Sequence, residues 1–144
     1  MSEKQETGKT LDPLRRARVF VRVAAAAVWV QLQVWTRQLP DILDAIEARP
    51  KRQPAPGELE CALAAAERIV RWRGFVIRKN CLKKNLLFYY LHATSGTRNL
   101  TLHVGVRPPE PNIRGHCWLT LNGEIYMDTP ENVSQYTVMY SRGV

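Results

Sequence analysis

The chain lacks every short motif that holds a nucleotide or a metal through fixed spacing. It has no GxGxxG, no P-loop and no HExxH, so nucleotide and metalloprotease chemistry have no visible home. Cysteine is scarce: Cys61, Cys81 and Cys117 are odd in number, widely spaced and free of any CxxC pair. That argues against a disulfide framework and for a reducing cytoplasm. The three histidines, His92, His103 and His116, form no zinc-ligand spacing with them, so neither a metal nor a cofactor is expected. The N-terminus has no basic start leading into an apolar run, which excludes a signal peptide there. The most apolar stretch, Val23 to Val30, is bracketed by Arg15, Arg16, Arg18, Arg22, Gln31 and Gln33. This is tighter than the roughly 20 apolar residues a bilayer span needs. Internal repeats and low-complexity tracts are also missing.

Acid is the minority charge. The 144 residues carry 21 Lys/Arg against 13 Asp/Glu, a formal net charge of +8. Residues 1–80 hold 15 Lys/Arg and 9 Asp/Glu, and residues 81–144 hold 6 and 4, so the excess belongs to the N-terminal half. Charge alone suits an acidic peptide or protein, an acidic membrane surface or nucleic acid. The length is enough for one real core, as a single domain or two tightly joined lobes.

Asp12-Pro13 reads as a helix start, with the helix running to about Leu39 and stopped by Pro40. Asp41 to Ala48 reads as a short amphipathic helix, and Arg49 to Gly57, rich in proline and charge, as a linker. A helix from Glu58 to Arg73 carries Leu59, Leu63, Ala66 and Val70 along one side and ends at Gly74. Asn80 caps a further helix that opens with Cys81 and stops near Ser95-Gly96. The period then changes to two. Leu100, Leu102, Val104 and Val106 alternate with polar or small residues, the pattern of a half-buried strand. The prolines of residues 107–111 impose a loop. A hairpin turns at Asn122-Gly123, and a last strand spans Gln135 to Tyr140. The reading is α+β, with residues 1–56 as helical region and linker and residues 57–144 as a core joined to it in one compact unit.

Three residues carry chemistry in this frame. A thiol with an ordinary pKa of about 8.5 is a useful nucleophile only as thiolate. The first turn of a helix, where Cys81 stands, favours that anion through free N–H groups and the macrodipole. Lys83 and Lys84 add positive charge nearby. An imidazole accepts the proton and a carboxylate orients the imidazole, roles that fall to His116 and Asp128. A three-residue turn, Asn122-Gly123-Glu124, would pair Leu121 with Ile125 and Leu119 with Met127. Trp118 would then face Asp128, with His116 diagonal to it on the same side. A two-residue turn would send His116 and Asp128 to opposite faces. His103 is the rival imidazole. His92 reads as an exposed position near a helix end, and Cys61 and Cys117 as buried small hydrophobes.

Asn80-Cys81-Leu82, the strand Leu102-His103-Val104-Gly105-Val106, His116-Cys117-Trp118-Leu119 and Asp128 together resemble the lasso-peptide B-type leader peptidases. These belong to the transglutaminase-like and papain-like cysteine proteases, and the resemblance covers roughly 60% of the chain, from Glu58 onward. Cys117 stands where that family has a small residue, and Lys83 and Lys84 where an arginine is frequent. The resemblance implies a transglutaminase-like core, its nucleophile at a helix N-terminus packed on a small antiparallel sheet. It implies removal of the leader from a ribosomally made precursor peptide, with Cys81, His116 and Asp128 as catalytic residues. It also implies no cofactor, and as partners the precursor, a separately encoded leader-recognition protein and a lasso cyclase. Nucleic acid is not among these partners, and membrane contact is not favoured. The basic N-terminal half would be the docking surface. Two other readings stand beside this one: transglutaminase-like acyl transfer, and a non-catalytic basic adaptor that binds peptides.

Overall fold

The computed structural model describes residues 11–72, 81–108 and 114–144. Helix α1 (Pro13–Thr36) opens with proline in its first turn, where the missing N–H would have no partner anyway. It ends three residues before the expected stop. Pro40 belongs instead to the first turn of α2 (Leu39–Glu47), a place that suits it for the same reason. By length and composition α1 is apolar enough to cross a membrane, contrary to what its flanking arginines suggested. Here it sends Val19, Val23, Ala26, Ala27 and Val30 into the core.

Helix α3 (Glu58–Arg71) follows Gly57 at φ 80°. Glu58 and Glu60 lie in its first turn and Arg68 and Arg71 in its last, both complementing the helix dipole. The expected stop at Gly74 and the Asn80 cap lie outside the described residues. Helix α4 (Cys81–Thr94) touches α1, α2 and α3 and also two strands, which makes it the hub of the molecule. Residues 85–89 and 91–93 are all buried, the pattern of a helix enclosed on every side. It closes at Gly96, where φ 78° lets the Thr97 N–H reach the His92 carbonyl at 3.0 Å. His92 is buried, not exposed. Its ring nitrogens lie 3.1 Å from both the Thr97 and Tyr126 hydroxyls, so a polar side chain is satisfied inside an enclosed helix.

The strands are β1 (Leu100–Arg107), β2 (Arg114–Leu121), β3 (Glu124–Tyr126) and β4 (Thr137–Gly143). They form an antiparallel sheet in the order β3-β2-β1-β4. This is the α+β arrangement expected, a helical N-terminal half followed by a small antiparallel sheet. Leu100, Leu102, Cys117 and Leu119 join the helices in one core. His116 and Trp118 alternate with Cys117 and Leu119 and occupy the other face. Arg142 of β4 is tied to Asp44 and Glu47 of α2, and the Tyr89 hydroxyl donates to Glu47 at 2.8 Å.

The hairpin differs from expectation. Leu121 pairs with Glu124 and Leu119 with Tyr126, so the turn is the two residues Asn122 and Gly123 at φ 53° and 82°. Two positive φ values define the tight turn whose twist matches a hairpin. Apolar pairing across the strands was the wrong guide; the local turn chemistry decided the register.

The connection from β3 to β4, including the short helix α5 (Pro130–Val133), spans from one edge strand to the other. Tyr136, at its end, packs on Trp118, which is only 3% exposed although it lies off the helical face. The Trp118 ring also lies over Gly105. A Cβ there would come within 2.9 Å of ring atoms and of the Thr137 carbonyl. We expect Gly105→Ala to cost about 1–3 kcal/mol through forced displacement of packed groups. Gly115→Ala, whose nearest neighbour would be 4.0 Å away, should be close to neutral. Urea unfolding midpoints of the two variants test the contrast.

Candidate active site

His116 lies near the start of β2, where β3 no longer covers the strand edge. Its Nε2 is 2.7 Å from Oδ2 of Asp128, and the two side chains are 16% and 15% exposed. The two-residue turn alone would set Asp128 opposite Cys117, on the wrong face. That consequence is avoided because the ladder ends at Tyr126 and Met127 adopts φ 60°. The backbone reverses there and returns the carboxylate to the His116 side.

Asp128 is held from its other oxygen as well. Oδ1 accepts the Thr129 N–H at 2.8 Å and the Asn132 amide at 2.9 Å. Thr129 in turn caps α5 by accepting the Asn132 N–H. Burial works to raise the Asp128 pKa, but the bonds from Asn132, His116 and Thr129 outweigh it and hold the carboxyl below its ordinary value. With Nε2 given to Asp128, Nδ1 is the nitrogen left to meet a reacting group. Trp118 stacks against the imidazole at 5.9 Å and Tyr136 lies at 4.8 Å, so aromatic rings set its plane.

Cys81 is the first residue of α4 and is partly buried. Its carbonyl accepts the Asn85 side-chain amide at 2.9 Å, and the same amide donates to the Cys117 carbonyl at 2.7 Å. Asn85, 8% exposed, thereby clamps the opening turn of α4 to β2, one residue from His116. Among the described residues no hydrogen bond joins the Cys81 thiol to the His116 ring. The structure brings imidazole and carboxylate into contact and places the thiol's helical turn beside their strand.

The remaining candidates serve elsewhere. Both ring nitrogens of His103 are occupied, by Ser141 at 2.7 Å and Thr120 at 2.9 Å, and its ring stacks on Trp118. Cys117 is buried, and burial together with the nearby Cys81 thiol pushes its pKa up to about 12. Cys61 packs partly buried against the core. Sequence reading missed Asn85, Asn132 and Tyr136. A signal existed for the first two: each lies four residues after a candidate residue, Cys81 or Asp128, the spacing of one helical turn. Among the described residues no three His, Cys, Asp or Glu side chains cluster as metal ligands.

The chain belongs to the transglutaminase-like superfamily, whose family model matches residues 12–141. That superfamily includes cysteine proteases and acyltransferases. No curated protein and no solved structure matches the chain.

The bonds to Asp128 have a pH signature. A carboxyl whose folded pKa is lowered stabilises the folded state at pH values above its unfolded pKa of about 3.9. That stability is lost as pH falls through the folded value. Asp128→Asn should remove this component, so the acid limb of its stability profile is shallower than the parent's. Urea midpoints measured from pH 3 to pH 7 read the difference.

Proposed function

We propose that the protein is a cysteine peptidase that cuts the leader from a ribosomally made lasso-peptide precursor, with Cys81, His116 and Asp128 as its triad. The 2.7 Å bond from His116 to Asp128, on a chain of the transglutaminase-like superfamily, is the observation that carries the reading. The position of Cys81 at a helix start, clamped beside His116 by Asn85, supports it. The motifs around Cys81, His116 and Asp128 resemble those of the leader peptidases, and this directs the choice of substrate.

In this mechanism Cys81 gives its proton to His116 Nδ1, and Sγ attacks the scissile carbonyl carbon. The tetrahedral oxyanion accepts a hydrogen bond from the Cys81 backbone N–H at the start of α4. The carbon–nitrogen bond breaks, the amine leaves with the proton from His116, and a thioester remains. Water then gives a proton to His116, attacks the thioester and restores the thiol. Asp128, bound to Nε2, keeps Nδ1 aimed at the chemistry throughout. Capture of the thioester by an amine in place of water would be acyl transfer, which the superfamily also contains. On this reading the reaction runs in the reducing cytoplasm, where a catalytic thiol stays free.

Purified protein incubated with the precursor encoded beside it, with and without a neighbouring leader-binding protein, should yield two fragments whose masses sum to precursor plus water. Cys81→Ala should abolish the cut, a loss of at least about a thousandfold. Fragments joined to an added amine would support transfer, and an undiminished cut by Cys81→Ala would end the proposal.

The leader-recognition partner finds a fitting surface on α1. Leu14, Val21, Val28 and Trp35, spaced by seven, are between 54% and 70% exposed, on the side away from the buried face. Arg15 and Arg18 lie beside them, and α1 contains no acidic residue. The double change Arg15→Glu and Arg18→Glu should slow partner-dependent cleavage by roughly tenfold and leave the partner-free rate unaltered. Single-turnover rates with and without the partner check this.

A further inference from the structure

A recess lies at the opposite end of α4 from Cys81. It is a partly open groove of about 610 Å³, bounded by α1, α3, the later part of α4 and the connection before α3. That volume falls in the range of about 300–1,000 Å³ that holds ligands. Val23, Ala26, Ala62 and Leu91 give it an apolar floor. Three arginines line it against a single carboxylate, Glu58.

Two of those arginines are already matched. Arg22 binds Glu58 at 2.8 Å and Arg52 at 3.3 Å, while the Ala55 N–H donates to the same carboxylate at 3.1 Å. The third is not. The Arg49 guanidinium lies 4.4 Å from the Trp29 ring centre and 5.1 Å from that of Tyr90. Among the described residues it makes no ion pair. Two aromatic faces therefore hold a planar, two-pronged donor in place at the lip of an apolar recess, with its charge uncompensated. A carboxylate is the group that fits a fork of this kind, and bidentate pairing is its strongest mode.

We propose that this groove is a non-catalytic binding site for an acidic peptide segment, in which a carboxylate pairs with Arg49 and an adjacent apolar side chain enters the recess beneath it. A partly open groove admits a chain that enters and leaves, as an extended peptide does. On the peptidase reading above, on which only the identity of the peptide rests, that segment is part of the substrate. Tyr90 lies nine residues along α4 from Cys81, about 13 Å at the helical rise. An extended chain covers about 3.3 Å per residue, so four or more residues separate the acidic segment from the bond that is cut.

The test uses full-length Cys81→Ala protein, so that nothing is cleaved. The probe is an eight-residue fluorescein-labelled peptide of alternating glutamate and leucine, compared by anisotropy with the same peptide carrying glutamine for glutamate. The glutamate peptide should bind at least tenfold tighter. Arg49→Gln should remove that preference, whereas Arg37→Gln, an equal loss of charge away from the groove, should keep it. Equal affinity for both peptides, or equal effects of the two substitutions, overturns the proposal. A benzophenone-bearing form of the peptide covers the case in which Arg49→Gln fails to fold. Cross-links within residues 22–29 or 49–62 support the groove, and cross-links confined elsewhere refute it. Binding as described by a protein that cuts no precursor would leave the groove standing and remove only the peptidase reading.

Discussion

One buried amide decides how the two halves of this protein meet. Asn85 donates to the Cys81 carbonyl in the first turn of α4 and to the Cys117 carbonyl in β2. The Cys117 carbonyl lies on β2 beyond the end of the β3 ladder, where no paired strand supplies a donor, whereas the Cys81 carbonyl, at the start of α4, also faces the backbone amides of its own helix. A buried acceptor left without a donor costs about 1–3 kcal/mol. The fold therefore favours an approach of helix to sheet that brings the Asn85 amide onto the Cys117 carbonyl. That approach sets the start of α4 beside His116.

The second half of the site depends on an interruption. β3 pairs for only three residues, and Met127 then takes a left-handed conformation uncommon for a residue with a side chain. Strain of this kind persists where surrounding contacts determine it. Here the contacts are the Asp128 bonds to His116, Thr129 and Asn132. One connection thus delivers the carboxylate, the amide that steadies it and the Tyr136 ring that packs on the imidazole. Gly105 completes the arrangement, since only a residue without Cβ leaves room for the Trp118 ring that stacks on His116.

The helical half does more than cover the core. α1 buries one face and leaves apolar residues on the opposite face, so its composition exceeds what its own fold encloses. Its flank contributes Trp29 to the groove where Arg49 rests, and Arg22 to the ion pairs on Glu58. Part of the basic charge of residues 1–80 thus lies on α1 and part lines the groove.

Much of the architecture was open to reading before any coordinates. The period of two in Leu100 to Val106, the Asn122-Gly123 turn and the helix that opens at Cys81 are local matters, settled by backbone preference and by alternation of apolar residues. Element ends were less legible: Pro40 stops α1 or starts α2 with equal local sense, and packing made the choice. The placement of His92 lay further out of reach. His92 is buried because other elements enclose α4 on every side, and no pattern within the helix announces that. The meeting of His116 with Asp128 required β3 to stop at Tyr126 and Met127 to reverse the chain. Chain order determined which residues were candidates; tertiary structure alone decided which atoms touch, because contact depends on where neighbouring strands end and helices dock.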